Sequence, residues 1–139
     1  MTDPDIPPAV EAEIRERLRA IPGMDLAQGL EHTLNRFPFY VRILRLFITS
    51  NSHLPTELRH LANQERHQEL LEIVHGLKGS TATIGAQALN ECAAAMVNAL
   101  RNDQSQAIVL TSEFADALHE TISALDIALQ EPTAGPRPG

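Results

Sequence analysis

The fold of this chain is decided by residues 65–85, which read ERHQELLEIVHGLKGSTATIG. Four apolar residues and one threonine recur there at intervals of three or four: Leu70, Val74, Leu77, Thr81 and Ile84. Because an α-helix has 3.6 residues per turn, this spacing places them on one face. A glycine at position 85 is typical of a residue that ends a helix. The stretch therefore predicts an amphipathic helix from about Glu65 to Ile84.

The rest of the chain shows the same helical period, interrupted by recognisable breaks. No proline lies between Thr56 and Glu131, so this part can be almost continuous helix. Breaks are predicted at Pro22-Gly23, Asn63-Gln64 and Asn102-Asp103, and a kink or restart at Pro55. Pro7 and Pro8 are predicted to open the first helix, and Asp25 to cap the second. The other predicted inward residues are Val10, Ile14, Leu18, Ile21, Leu26, Leu30, Leu34, Phe37, Tyr40, Val41, Leu44, Phe47, Ile48, Leu58, Leu61, Leu89, Cys92, Met96, Leu100, Leu110, Phe114, Leu118, Leu125 and Leu129.

These segments predict an all-α fold. We expect an antiparallel up-down four-helix bundle with one or two short N-terminal helices packed on it, because the predicted loops are short. No segment alternates convincingly with period 2, so no sheet is expected. The bundle is predicted to span residues 9–131. The Pro-rich ends, residues 1–8 and 132–139, are predicted to be disordered tails.

Composition excludes several classes of function. The net charge is −7, with 18 acidic and 11 basic residues, which argues against nucleic-acid binding and against an anionic membrane surface. The single cysteine, Cys92, excludes an intrachain disulfide and is expected to be a small buried apolar residue. No apolar run is long enough for a membrane span, and no signal peptide is visible. We expect a cytoplasmic monomer.

His75 carries the most informative polar pattern in the chain. On the predicted helix, Glu72, Lys78 and Gly79 share the face of His75, next to the buried stripe. Lys78 is the only lysine, the other ten basic residues being arginine. A compact ammonium suits a phosphoryl group that must be held loosely and released, whereas an arginine fork would clamp it. The pattern therefore suits a phosphoryl group and marks His75 as more than an ordinary surface histidine.

Two glycines, Gly76 and Gly79, lie inside this predicted helix. Each costs about 1 kcal/mol relative to alanine, so an offsetting role is expected. Gly79 lies one turn beyond His75 on the same face, where a missing side chain would clear the approach of another protein. The alternative is that His75 is an ordinary surface histidine and the glycines pack against a neighbouring helix.

The stretch His75-Gly76-Leu77-Lys78-Gly79-Ser80, followed by Gly85-Ala86 and Leu89, resembles the signature of the histidine-containing phosphotransfer (HPt) family. Similar upstream features are residues 22–26 with Gly29-Leu30, and Phe39-Tyr40 with Leu44, Leu46 and Phe47. The resemblance covers roughly residues 21–129. Two positions depart from it. Gly76 stands where Thr or another small side chain is common, and Val97, beside Asn98, stands where some members place a Gln.

The resemblance implies a function and a set of partners. His75 would accept a phosphoryl group from a receiver-domain aspartate and pass it to another, as a carrier and not an enzyme. Lys78 would neutralise charge and Gly79 would give steric access. The partners implied are receiver domains of a hybrid sensor histidine kinase and of a response regulator. This chain would bind no cofactor, and the Mg²⁺ would belong to the receiver.

Docking is predicted on apolar surface around His75, formed by Leu71, Gly76, Ala82, Ile14 and Leu18. The remaining histidines have no comparable lysine and glycine neighbours and are predicted to be solvated surface residues: His32, His53, His60, His67 and His119.

Two other functions stay open. One is a receiver-binding helical module without phosphotransfer. The other is a metal-binding bundle, because Glu57 and His60, and Glu72 and His75, each have the Glu-x-x-His spacing of di-iron bundles. The two motifs lie only fifteen residues apart, and residues 38–54 contain no carboxylate. Both facts count against the metal site, and no metal is predicted.

Overall fold

The structure, a computed structural model, describes residues 6–131. Within this range the chain forms seven α-helices and no strand. They are α1 (Pro8–Arg19), α2 (Leu26–His32), α3 (Phe37–Asn51), α4 (Leu54–Asn63), α5 (His67–Ile84), α6 (Gln87–Asn102) and α7 (Ala107–Ala128). A short 3-10 helix, Gln104–Gln106, precedes α7. The predicted all-α fold is confirmed.

The four-helix bundle consists of α4, α5, α6 and α7, in which each helix packs against the next and α7 returns to α4. Short connections between consecutive packed helices give the up-down arrangement. Helix α3 precedes α4 and packs on α5 and α7, so α3 and α4 together form the first member of the bundle. The chain restarts between them because Pro55 has no N–H to donate and its ring crowds the carbonyl of Asn51.

The two N-terminal helices pack on the bundle as predicted. Pro8 occupies the first turn of α1, and the side chain of Asp25 caps α2 by accepting from the backbone N–H of Gln28 at 3.1 Å. Helix α1 packs on α7 and α2, while α2 packs on α5. Helix α1 thus begins one residue before the predicted start of the bundle. The predicted tails fall on residues 1–8 and 132–139, of which residues 1–5 and 132–139 lie outside the described range.

The C-terminal end of α5 is tied to α2 and α3. Gly85 ends the helix in a left-handed conformation, with φ +78°, and its carbonyl accepts from the backbone N–H of Asp25 at 2.7 Å. A side chain at position 85 would come within 2.3 Å of the carbonyl oxygen of Asp25. Tyr40 on α3 donates its hydroxyl to the carbonyl of Ile84 at 2.7 Å. Gly29 lies so close that a Cβ there would meet that same carbonyl at 2.5 Å.

Two predicted core positions are wrong. Leu34 is 74% exposed, because α2 ends at His32 and Leu34 and Asn35 adopt left-handed conformations that turn the chain towards α3. Cys92 is exposed, because the buried stripe of α6 runs through Ala93 and Val97 beside it. Alanines occupy positions 93–95, so several faces of α6 were apolar enough to be buried and periodicity alone could not select one.

We expect Tyr40→Phe to lower the free energy of unfolding by about 1–3 kcal/mol, because it leaves a buried carbonyl of Ile84 without its donor. Burial, and then the carboxylate of Asp25, raise the pKa of Tyr40, so its hydroxyl stays a donor at neutral pH. Urea unfolding measures the change. The control is Ser123→Ala, which removes an exposed hydroxyl and should change stability by less than about 0.5 kcal/mol. Equal effects of the two variants would contradict this role.

Cys92 should react with a maleimide in the folded protein, because its side chain is exposed. Partial burial, and then Glu91 and Glu113, raise the pKa of the thiol. The thiolate fraction at pH 7 is therefore smaller than in a free cysteine, and labelling should be slower than that of glutathione and accelerate as the pH rises. Mass spectrometry follows the reaction, with Cys92→Ser as the unlabelled control. Labelling that occurs only after unfolding would show that Cys92 is buried.

Candidate functional site

The buried stripe of α5 determines where His75 points. Leu70, Val74, Leu77, Thr81 and Ile84 are all buried against the bundle. His75 follows Val74 by one residue, about 100° around the helix, and its side chain is exposed. Lys78 and Gly79 are exposed on the same side, one turn further along. The structure thus brings together the three residues that the sequence predicted as the site.

The side chains of His75 and Lys78 make no polar contact with the part of the chain that the structure describes. Neither forms a hydrogen bond or an ion pair with any residue between 6 and 131. Glu72, one turn before His75, is also exposed and accepts a 3.4 Å hydrogen bond from Gln68. The imidazole and the ammonium are therefore available to a ligand or to another protein.

Gly76 and Gly79 do not pack against another helix. A Cβ built on either one would meet no other atom of the described chain within 4 Å, apart from the local backbone of α5. Gly29 and Gly85, in contrast, are required by close contacts within the chain. The alternative that the two glycines of α5 are packing residues is therefore wrong. Their lack of side chains leaves space outside the protein surface, next to His75.

Asn90 on α6 supports the backbone below Lys78. Its Nδ2 donates to the carbonyl of Lys78 at 2.7 Å and lies 3.3 Å from Oγ1 of Thr81. Thr81 in turn donates to the carbonyl of Leu77 at 2.7 Å. These bonds hold the α5 backbone that carries the lysine against α6. Sequence reasoning missed Asn90, for which the only signal was an amide among the apolar residues of α6.

The position where some HPt members place a Gln contributes no polar group here. Val97 is buried in the core, and the neighbouring Asn98 is exposed and accepts from Asn102 at 2.7 Å within α6. Position 97 therefore offers no side-chain amide that could take the place of that glutamine.

A groove of about 490 Å³ runs between α3 and α5, beside His75. Its lining is mainly apolar, with Glu72 as the one charged residue among the lining residues that the structure describes. Sequence reasoning did not find this groove. The available signal was that Ile43 and Leu46 are apolar although they lie outside the predicted core stripe of α3. The lining residues are Ile43, Leu46, Phe47, Ser50, Asn51, Leu54, Glu72, Ile73, Gly76, Leu77, Ser80, Thr83 and Ile84.

The predicted docking surface is partly wrong. Ile14 and Leu18 are 2% and 0% exposed, because they form the face of α1 that packs into the core, and cannot line a docking surface. Gly76 and Ala82 are exposed, and Leu71 is half-buried. The α5 residues of the predicted surface are therefore accessible at least in part, whereas its α1 residues are not.

Four of the other histidines are exposed and one is half-buried. His67, the half-buried one, has its Nδ1 2.8 Å from Oε1 of Gln104. Nδ1 of His32 lies 3.1 Å from the carbonyl of Thr83. The remaining three exposed histidines are His53, His60 and His119.

The described residues offer neither a metal site nor a membrane span. Between residues 6 and 131, no three His, Cys, Asp or Glu side chains come together in a way that could hold a metal ion. None of the helices in that range combines the length and the apolar character needed to cross a bilayer.

A comparison with models of known protein families finds a match, and the matched segment includes α5 with His75 and Lys78. The model of the Hpt domain family matches residues 42–128, which contain the whole of α4, α5, α6 and α7 and the last two thirds of α3. The chain therefore belongs to the Hpt domain family, whose members are phosphocarrier modules of phosphorelays. Neither the comparison with curated proteins nor that with solved structures found a match.

Two glycine substitutions should have opposite effects on stability. Gly79→Ala should raise the free energy of unfolding by up to about 1 kcal/mol, because alanine favours the helix and its Cβ meets no neighbour. Gly85→Ala should lower it by more than about 1 kcal/mol, because the left-handed conformation and the carbonyl of Asp25 both oppose a Cβ. Urea unfolding measures both. Destabilisation by Gly79→Ala would mean that Gly79 is a packing residue after all.

Proposed function

We propose that this chain carries a phosphoryl group on His75 between the aspartates of two receiver domains. One belongs to a hybrid sensor histidine kinase and the other to a response regulator. The observation that carries the proposal is the exposed pair of His75 and Lys78 on α5, with open space at two neighbouring glycines, in a chain of the Hpt family. Such a carrier needs no nucleotide site of its own.

The transfer step requires an accessible, neutral imidazole. A ring nitrogen of His75 attacks the phosphorus of the aspartyl phosphate on the receiver, an N–P bond forms, and the aspartyl O–P bond breaks. The aspartate leaves as a carboxylate, and the reverse sequence loads the second receiver. Because the transition state of phosphoryl transfer is loose, alignment and charge neutralisation supply most of the catalysis.

Lys78 and Gly79 have different roles in this step. The ammonium of Lys78 has no intramolecular partner among residues 6–131, so it is free to neutralise charge on the phosphoryl oxygens. Gly79 leaves the face of α5 next to His75 without a side chain, so a receiver can bring its backbone close. In this proposal Mg²⁺ belongs to the receiver, and the chain itself binds no cofactor.

The receiver is proposed to dock on α5 and on the groove between α3 and α5. Any protein that delivers a phosphoryl group to His75 must cover the surface next to it, and Glu72 and Gly76 belong to both that surface and the groove. Exposed Leu46, on the α3 side, adds apolar area that such a partner would bury. Leu71 and Ala82 extend the proposed surface on α5 itself. In this proposal the chain acts as a monomer in the cytoplasm.

Incubation with a phosphorylated receiver should transfer an acid-labile, base-stable label to the wild-type chain. His75→Gln should remove this label completely, because glutamine offers no nucleophilic ring nitrogen. His60→Gln and His119→Gln are matched controls on exposed histidines and should leave labelling unchanged. Labelling that persists in His75→Gln would overturn the assignment. Receiver binding without any label on the wild type would support a binding module that does not transfer phosphate.

Lys78→Ala should slow transfer by about tenfold, the order expected for loss of one contact to a charged group. Lys78→Arg keeps the charge and should lose less activity than Lys78→Ala. Rapid-quench measurement of the labelling rate distinguishes the variants. Equal rates for Lys78→Ala and the wild type would contradict charge neutralisation by Lys78.

A further inference from the structure

Nothing in the described chain explains why position 76 is a glycine. It lies in the middle of α5, where glycine is less favourable than alanine. Its φ is not left-handed, and a Cβ there would meet no atom within 4 Å beyond the local backbone of α5. Neither backbone conformation nor close packing in the described part of the chain therefore requires glycine at position 76.

Gly76 lines the groove and directly follows His75 in the sequence. It contributes to the α5 wall of the groove together with Ile73 and Leu77, while Gly79 does not line the groove. Leu46, which is 59% exposed, belongs to the α3 wall. The two glycines thus border different spaces, one inside the groove and one on the open face of α5.

We propose that Gly76 is a specificity-determining residue, whose missing side chain forms a notch in the groove that accepts a bulky apolar side chain of the receiver. This inference rests on the proposed phosphotransfer function and adds a steric requirement on the receiver to it.

The chemistry of the groove selects the class of side chain. Its walls are formed largely by isoleucine, leucine and phenylalanine, so burial of an aliphatic or aromatic side chain is favoured in proportion to its apolar area. A charged side chain would lose its hydration there. Glu72 is the one charged lining residue that the structure describes, and an acidic group in the notch would also be repelled by it.

The open space at position 76 explains why glycine would differ there from any other small residue. A methyl at position 76 would project into the free space that the groove offers, because nothing in the described chain fills it. The same methyl would stabilise α5. A substitution at Gly76 should therefore increase stability and weaken productive docking at the same time. A purely structural role predicts that stability and transfer fall together.

The test compares Gly76→Ala and Gly76→Val with the wild type, using two phosphoryl donors. The first is a phosphorylated receiver that labels the wild type. The second is phosphoramidate, a small donor whose P–N bond breaks with release of ammonia as the N–P bond to His75 forms. For Gly76→Val, the ratio of the receiver rate to the phosphoramidate rate should fall about tenfold, as expected for overpacking an interface. Gly76→Ala should show a smaller fall together with a higher midpoint of urea unfolding.

Ala95→Val is the matched control, since Ala95 is exposed on α6 and does not line the groove. It should leave the ratio unchanged. An unchanged ratio of the two rates in Gly76→Val would overturn the inference. This includes an equal loss with both donors, which would indicate damage to His75 itself. Absence of label on the wild type with every receiver tested would overturn the proposed function as well. Truncation to alanine of one large apolar side chain on the receiver should restore transfer to Gly76→Val, and failure of every such truncation would count against the notch.

Discussion

Burial of one face of α5 is the constraint on which the rest of the structure depends. Five residues of that face are buried, and α5 contacts α2, α3, α4 and α6 through its sides. Each large apolar side chain in such a position contributes about 1.5–3 kcal/mol. The helix therefore has one strongly favoured rotation in the bundle, and in it His75 and Lys78 face outward. The geometry that exposes the proposed phosphoryl carrier is the same geometry that builds the core.

The C-terminal end of α5 fixes where this helix lies along its axis. The carbonyl of Gly85 accepts a hydrogen bond from the backbone N–H of Asp25, and the hydroxyl of Tyr40 donates to the carbonyl of Ile84. These bonds reach α5 from α2 and α3, and α3 supplies one wall of the groove beside His75. Interactions at one end of α5 therefore hold together the two helices that form the proposed docking surface.

Four glycines of the described chain, at positions 29, 76, 79 and 85, divide into two kinds. Gly29 and Gly85 are required by contacts inside the chain, where an added Cβ would approach backbone atoms at 2.3–2.5 Å. Gly76 and Gly79 are not, because the described chain leaves the space beside them open. Glycines that lower helix stability without an internal reason are consistent with a site where stability is reduced in favour of access. The open space at Gly76 and Gly79 therefore supports a surface shaped for a protein partner.

The amino-acid sequence alone determined the helical class, the breaks, the cap at Asp25 and the stop at Gly85, because these depend on local periodicity and backbone preference. It also predicted the exposure of His75, which follows from the position of Val74 and Leu77. Only the tertiary structure decided the exposure of Cys92, the burial of Ile14 and Leu18, and the groove between α3 and α5. These depend on how distant helices pack, and local spacing carries no information about which neighbouring helix covers a given face.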